Sequence, residues 1–235
     1  ADEDSPSSAQ SSSMKVDRDI QRKWTILLYA TTTILLFADQ NLLAPNLSAA
    51  AKEFGFNDME RDEKLGGHIA LAFFIIGAPA SFVVGCMADS ENSILSRNVL
   101  YGMIVLIGEG ACIATYFTTT YHGLYITRAF TGFSVGGALP LLSSVLADLY
   151  PPHERTAVMS YVGVGTGLGT AFGQGVSGFV GPMYNSWRLP FLIIGLPAIV
   201  AALLIMTTVT DPERGGQERK ILQMEREAAQ QAQHC

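Results

Sequence analysis

Apolar runs about as long as a bilayer is thick recur along this chain, and they leave few folds open to it. A helix crosses the hydrocarbon core with roughly 20 consecutive apolar residues. Runs near 67–88, 98–118 and 189–210 reach that length almost without interruption. Runs near 24–46, 122–147 and 156–179 reach it with one exception each: Asp39, Arg128 and an unusual density of glycine. In lipid every backbone N–H and C=O must find its partner within the spanning structure, and segments of this length do so as helices. Charged residues make up 15% of the chain, well under the roughly 25% of a soluble domain. They gather at the two ends and in the block 52–64. The chain therefore reads as an all-α membrane protein with six transmembrane helices.

Three regions follow. Residues 1–23, polar and rich in serine, read as a disordered tail. Residues 24–210 form the six-helix transmembrane bundle, and 211–235 a partly helical linker that begins at the Asp211-Pro212 stop. With the N-terminus cytoplasmic, that side carries ten Lys and Arg, the opposite side four, and Arg128 lies within the membrane. An excess of basic residues marks the inner side, so both termini are predicted cytoplasmic, and 51–67 becomes the one sizeable external loop. A net charge of −6 without basic clusters excludes a nucleic-acid surface. The cysteines at 86, 112 and 235 lack metal-ligand spacing, and no paired catalytic carboxylates or Ser/His/Asp set appears. Neither an enzyme nor a bound metal or cofactor is expected. The stretch GQGVSG (173–178) fits Gly-x-Gly-x-x-Gly but lies inside a span, without the strand a dinucleotide site requires.

Charges inside the spans carry most of the functional information. At 1.5 Å per helical residue, Asp39 lies about 22 Å from the start of its span and Arg128 about 9 Å from the opposite face. In a core about 30 Å thick the two sit at nearly the same depth. A carboxylate and a guanidinium at one level can pair, which removes most of the cost of burying either. Such a pair either locks two helices together or opens when a proton or substrate binds. Gln40 and Asn41 extend the polar patch. In the third span, Glu109 lies about 15 Å deep, flanked by Gly108 and Gly110, which admit a close neighbour. The fifth span holds two small-residue series, Gly163/Gly167 and Gly165/Gly169/Gly173, spaced for close helix packing.

Several of these landmarks fall in a known order. GCMADS (85–90) resembles the loop signature of the major facilitator superfamily. TRAFTGFSVGGALPLLSSVLADLYPPHERTA (127–157) resembles that superfamily's fourth helix, with Arg128, Gly132, Gly136, Pro140, Asp148, Pro152 and Arg155 in sequence. Within the superfamily the chain is similar to the Spinster-like lipid transporters. Asp39-Gln40 stands at that branch's Asp-Arg pair, Trp187-Arg188 precedes the sixth helix, and Asp211-Pro-Glu-Arg-Gly215 follows it. Gln40 replaces the arginine, and Val135 replaces a membrane-embedded Glu. The resemblance covers residues 24–216 and one half of such a transporter.

The resemblance implies the N-terminal six-helix bundle of the superfamily fold, built as two inverted three-helix repeats. It implies transport of a small organic or amphipathic solute, lipids included, by proton-linked alternating access. Asp39, Gln40, Asn41 and Arg128 would line the coupling and substrate cavity, and Glu109 would supply the protonatable group missing at Val135. Gly85, Asp89, Asp148 and Arg155 would form the cytoplasmic gate. Gly132, Gly136, Gly163, Gly165, Gly167, Gly169 and Gly173 would serve helix packing. The expected partners are the lipid bilayer, a small-molecule or lipid substrate, and either a missing C-terminal half or a second copy. The absent initiator Met and the linker-like end favour a truncated sequence. Two other readings stay open: a non-transporting scaffold or sensor on a transporter half-bundle, and a sugar or organic-anion transporter of another branch.

Overall fold

The computed structural model describes residues 8–89, 95–212 and 214–233, with side chains from residue 20 onward except at 89, 220, 228, 229, 232 and 233. Its long helices are α1 (Ser8–Gln40), α4 (Ile69–Asp89), α5 (Arg97–Phe117), α6 (Tyr121–Leu149), α7 (Pro152–Met183) and α8 (Leu189–Thr208). Short α2 (Leu47–Phe54) and α3 (Asp58–Glu60) lie between α1 and α4, and α9 (Gly216–Gln233) closes the chain. Among the described residues there is no strand.

Three expectations change. Residues 8–23, expected as a disordered tail, are helical and continuous with α1. The segment has neither Gly nor Pro from Ser8 to Gln40, so the helix propagates outward from the apolar span at little cost. The expected loop 51–67 is also largely helical. Gly55, at φ +72°, ends α2 in the left-handed conformation that glycine adopts without a Cβ penalty. Asn57 and Glu60 then form a reciprocal capping box at α3, and a wide-turn π segment (Arg61–His68) leads into α4. The first span is shorter than expected, because α1 stops at Gln40 and a 3₁₀ turn with Pro45 follows.

Among the described residues, five helical stretches are long and apolar enough to cross a membrane. The sixth, α7, has the length at 32 residues, but its glycines add little hydropathy. The distribution of side chains is the reverse of a water-soluble bundle. Phe74, Phe82, Phe172, Phe179, Leu196 and Val200 face outward, while Asp39, Glu109, Arg128, Thr32 and Ser177 are buried. An apolar exterior of this extent matches hydrocarbon rather than water.

The helices pair in a repeating pattern. α4 packs on α6 as α1 packs on α7, and α5 packs on α6 as α8 packs on α1. Exchanging the first three spans with the last three maps one set of contacts onto the other, the pattern expected of repeats. Each of the first pair of contacts is built on glycine. A Cβ on Gly132 or Gly136 of α6 would fall on the backbone of Phe73 or Gly77 in α4, and one on Gly173 of α7 on the backbone of Ala38 in α1. Gly169 meets Ile34 and Phe37 in the same way.

Gly163, Gly165 and Gly167, also expected in packing, have nothing within 4 Å of a Cβ. At 100° per residue, 163 and 167 are centred about 120° around the helix from Gly169 and Gly173, and α7 is covered on one side only. Gly165 shares the packed face but lies where α1 and α7 separate around a cavity.

Candidate functional site

Two apolar clusters fill the bundle. One is centred on Tyr29, Tyr101, Val105, Leu141 and Ile205, the other on Leu42, Leu124, Phe191 and Ile194. The polar site lies between them, where α1, α5, α6 and α8 converge.

Arg128 Nη1 donates to Asp39 Oδ1 at 2.8 Å, with Arg128 3% exposed and Asp39 fully buried. Arg128 Nη2 donates to Thr115 Oγ1 at 3.1 Å, and Thr115 in turn donates to Thr127 Oγ1 at 2.9 Å. The guanidinium lies 4.8 Å above the ring of Phe191. Pairing, a neutral hydroxyl acceptor and an aromatic face together offset the desolvation of a charge in lipid. The two residues predicted to share a depth are thus in contact.

Glu109 is also fully buried, and its position is the main surprise. Gly108 abuts Ser134, the neighbour of Val135, so the level expected for Glu109 is close to the level found. Its carboxylate, however, turns toward α1. One acid oxygen each of Asp39 and Glu109 and the sulfur of Cys112 lie within 4.8 Å of one another. Among the described residues neither Glu109 oxygen has a hydrogen-bond partner, nor has Asp39 Oδ2. Cys112 Sγ donates to the Phe191 carbonyl at 3.2 Å. Three such atoms can ligate a metal in principle, but the Arg128 guanidinium already seated on Asp39 opposes a second cation there. In the structure Cys112 is part of the polar cluster and Cys86 is exposed.

Gln40 and Asn41 are half-buried beside this cluster. With Arg128, Phe73 and Phe74 they line a cavity of about 240 Å³ between α1 and α4. Asn41 Nδ2 donates to the Phe37 carbonyl at 2.9 Å, and to Thr170 of α7 at 3.3 Å. A second cavity of about 450 Å³ opens between α1, α6 and α7, lined almost wholly by apolar side chains such as Ala30, Leu142, Leu146 and Val162, with Tyr161 at its wall.

Among the described residues, the expected gate side chains Asp148 and Arg155 make separate contacts. Asp148 pairs with Arg97 at 2.5 Å and accepts from Gly215 N–H at 2.9 Å. Arg155 instead hydrogen bonds to the Ala147 and Tyr150 carbonyls and to Glu218 of α9. A Cβ on Gly85 would be in ordinary contact with Pro140, at 3.8 Å, so close approach is not its role. The side chain of Asp89 lies outside the described residues.

Sequence reasoning missed the bracket at this end. Asp211 accepts from the N–H groups of Arg97 at 2.6 Å and Asn98 at 3.1 Å, capping α5 from a residue beyond α8. A carboxylate there satisfies orphan donors and meets the positive end of the helix dipole. Asn98 Nδ2 donates to the Val209 carbonyl at 3.1 Å, and Asn98 Oδ1 accepts from Tyr29 Oη at 2.5 Å. The visible signal was an Asp directly before a Pro at a span end, which was read only as a stop.

The contact with α9 makes a pH prediction. The Arg155 guanidinium beside Glu218 holds its carboxyl below the usual glutamate range. A lowered folded value contributes stability at neutral pH that is lost as pH falls through it. A spin label at Gln223 should gain mobility in acid, and at neutral pH in Glu218→Gln. Equal mobility from neutral pH into strong acid in the parent chain would show that the contact does not hold α9.

Comparison with known proteins agrees with this architecture. The 4-hydroxybenzoate transporter PcaK of Acinetobacter baylyi is 28% identical over 137 residues, covering 58% of this chain and 28% of the relative. Quinolone resistance protein NorA of Staphylococcus aureus is 24% identical over 183 residues, covering 77% and 44%. Among solved structures, a bacterial homolog to the human lysosomal transporter Spinster, inward-facing and occupied, superposes with a TM-score of 0.70. It is 21% identical, with 85% of this chain and 46% of that one covered. The D-xylose-proton symporter gives a TM-score of 0.61 at 20% identity, covering 90% and 52%. The chain thus spans about half the length of these proteins or less, and its helices form the superfamily's six-helix half-bundle in a multi-pass membrane protein. Residues 29–229 match the model of the Major Facilitator Superfamily, and with most of its length matched the chain belongs to that family.

Proposed function

We propose that the chain is one half of a proton-linked, alternating-access transporter for a small organic or amphipathic solute, lipids included. The observation that carries the reading is the buried Asp39–Arg128 ion pair at the wall of a cavity also lined by Gln40 and Asn41. A charge pair sealed only for stability is replaceable by apolar packing, whereas one beside a solute-sized cavity can respond to what enters it. The nearly apolar cavity between α1, α6 and α7 suits the hydrophobic part of an amphipath. A second six-helix bundle, from further sequence or another copy, would close both cavities against the exposed faces of α1, α4 and α7. Asp148, Arg97, Arg155 and Asp211 would brace the end of the bundle at which both termini lie, proposed to be cytoplasmic.

The relatives include a 4-hydroxybenzoate transporter and a D-xylose-proton symporter, so the test starts from a broad panel. The protein, reconstituted with its second bundle in proteoliposomes, should accumulate at least one lysolipid, aromatic acid or sugar when the outside is acidified. Asp39→Asn should lose the response to the proton gradient. Absence of flux across the panel would replace transport with a scaffold or sensor role.

A further inference from the structure

We propose that Asp39 and Glu109 hold one proton between them, as a carboxylic acid–carboxylate pair placed against the Arg128 guanidinium. The inference deepens the proton-linked reading and rests on it only for what the proton is used for.

Charge counting at a dry site gives the first argument. Two carboxylates and one guanidinium meet where none is more than 3% exposed. With both acids ionised the cluster carries one uncompensated negative charge, which lipid-level burial penalises heavily. With one proton it is neutral. Hydrogen bonding gives the second. Asp39 Oδ1 is taken by Arg128, leaving Oδ2 as an acceptor without a donor, and both oxygens of Glu109 are equally unpartnered. A protonated Glu109 supplies that donor. One acid oxygen of each lies within 4.8 Å of the other, a side-chain rotation away from a carboxyl–carboxylate hydrogen bond, and such charge-assisted bonds are the strong ones.

No other nearby group serves as well. The titratable groups facing Glu109 are Asp39 from α1, Tyr101 and Cys112 from its own helix, and Arg128 from α6. The remaining neighbour, α8, has no titratable side chain between residues 189 and 208, and presents Phe191 and Gly195. The Tyr101 hydroxyl is engaged with Thr32 at 2.9 Å, and the Cys112 thiol with the Phe191 carbonyl.

The step balances simply. The O–H bond of Glu109 breaks, the proton leaves to water admitted to the cluster, and two carboxylates then compete for one guanidinium. Arg128 must turn from Asp39 or share itself, which loosens α1 from α6. Reprotonation restores the original pair. The proton site therefore spans the first and third membrane helices, where the Glu expected on α6 is replaced by Val135.

Infrared spectroscopy of the purified protein in lipid reads this pair without any transport. At neutral pH the parent chain should show the C=O stretch of one buried carboxylic acid. Glu109→Gln, close in shape to the protonated acid, should abolish the band, and so should Asp39→Asn, because Glu109 must then ionise to balance Arg128 at the dry site. No such band at neutral pH, or a band unchanged in both variants, overturns the proposal; Asp39→Asn alone decides if Glu109→Gln does not fold. A band present in a protein that moves no solute supports the pair and removes the transport reading. Proton-driven flux with no band does the reverse.

Discussion

Arg128→Gln should lower unfolding stability by about 3–5 kcal/mol and abolish proton-driven flux. Removing one member of a buried pair strands the other, and that is the costly case. Asp39 would keep its charge in a site with no exposure to solvent, while Thr115 and the Phe191 ring would lose the guanidinium they face. Asp39→Asn should cost less, because the amide oxygen can still accept from Arg128. The double variant Asp39→Asn/Arg128→Gln should then be more stable than Arg128→Gln alone, and the deviation from additivity measures the coupling. Thermal unfolding in mild detergent provides the stability and proteoliposome uptake the function. If the double variant regained parent-level, proton-driven uptake, the pair would be a structural lock and nothing more.

Gly136→Val should prevent folding or reduce the yield of monodisperse protein sharply. Overpacking in a core usually costs about 1–3 kcal/mol. Here the added Cβ would fall on the backbone of Gly77, which cannot rotate away as a side chain can, so α4 and α6 must separate along their length. Helices in lipid associate largely through such close packing, with no hydrophobic drive to compensate for its loss. Gly163→Val is the control. Nothing lies within 4 Å of a Cβ there, and the change should stay within about 0.5 kcal/mol of the parent. Size-exclusion profiles and melting temperatures of the two variants decide the matter. A Gly136→Val protein that behaves like the parent would contradict the close α4–α6 contact.

The difference between these glycines shows how far a spacing rule carries. Glycines four apart mark a helix face that could pack closely, and Gly132/Gly136 and Gly169/Gly173 do so. Gly163/Gly167 have the same spacing and pack against nothing, because a helix has several faces and the neighbours choose among them. The charged residues follow the same division. Asp39 and Arg128 could be matched from depth alone, since a helix rises by a constant 1.5 Å per residue. The direction in which Glu109 points could not, because rotation about the helix axis is set by packing.

Hydropathy, glycine placement and the order of Arg128, Pro140, Asp148 and Arg155 determined from the sequence alone that this chain is a bundle of membrane helices of this superfamily. Those signals are local, and each follows from what a single helix needs in lipid. The tertiary structure alone decided that Glu109 joins Asp39 and Arg128, that Asp211 caps α5 from beyond α8, and that Arg155 holds α9 rather than Asp148. Each of these joins residues far apart in the chain, through angles between helices that no single helix specifies.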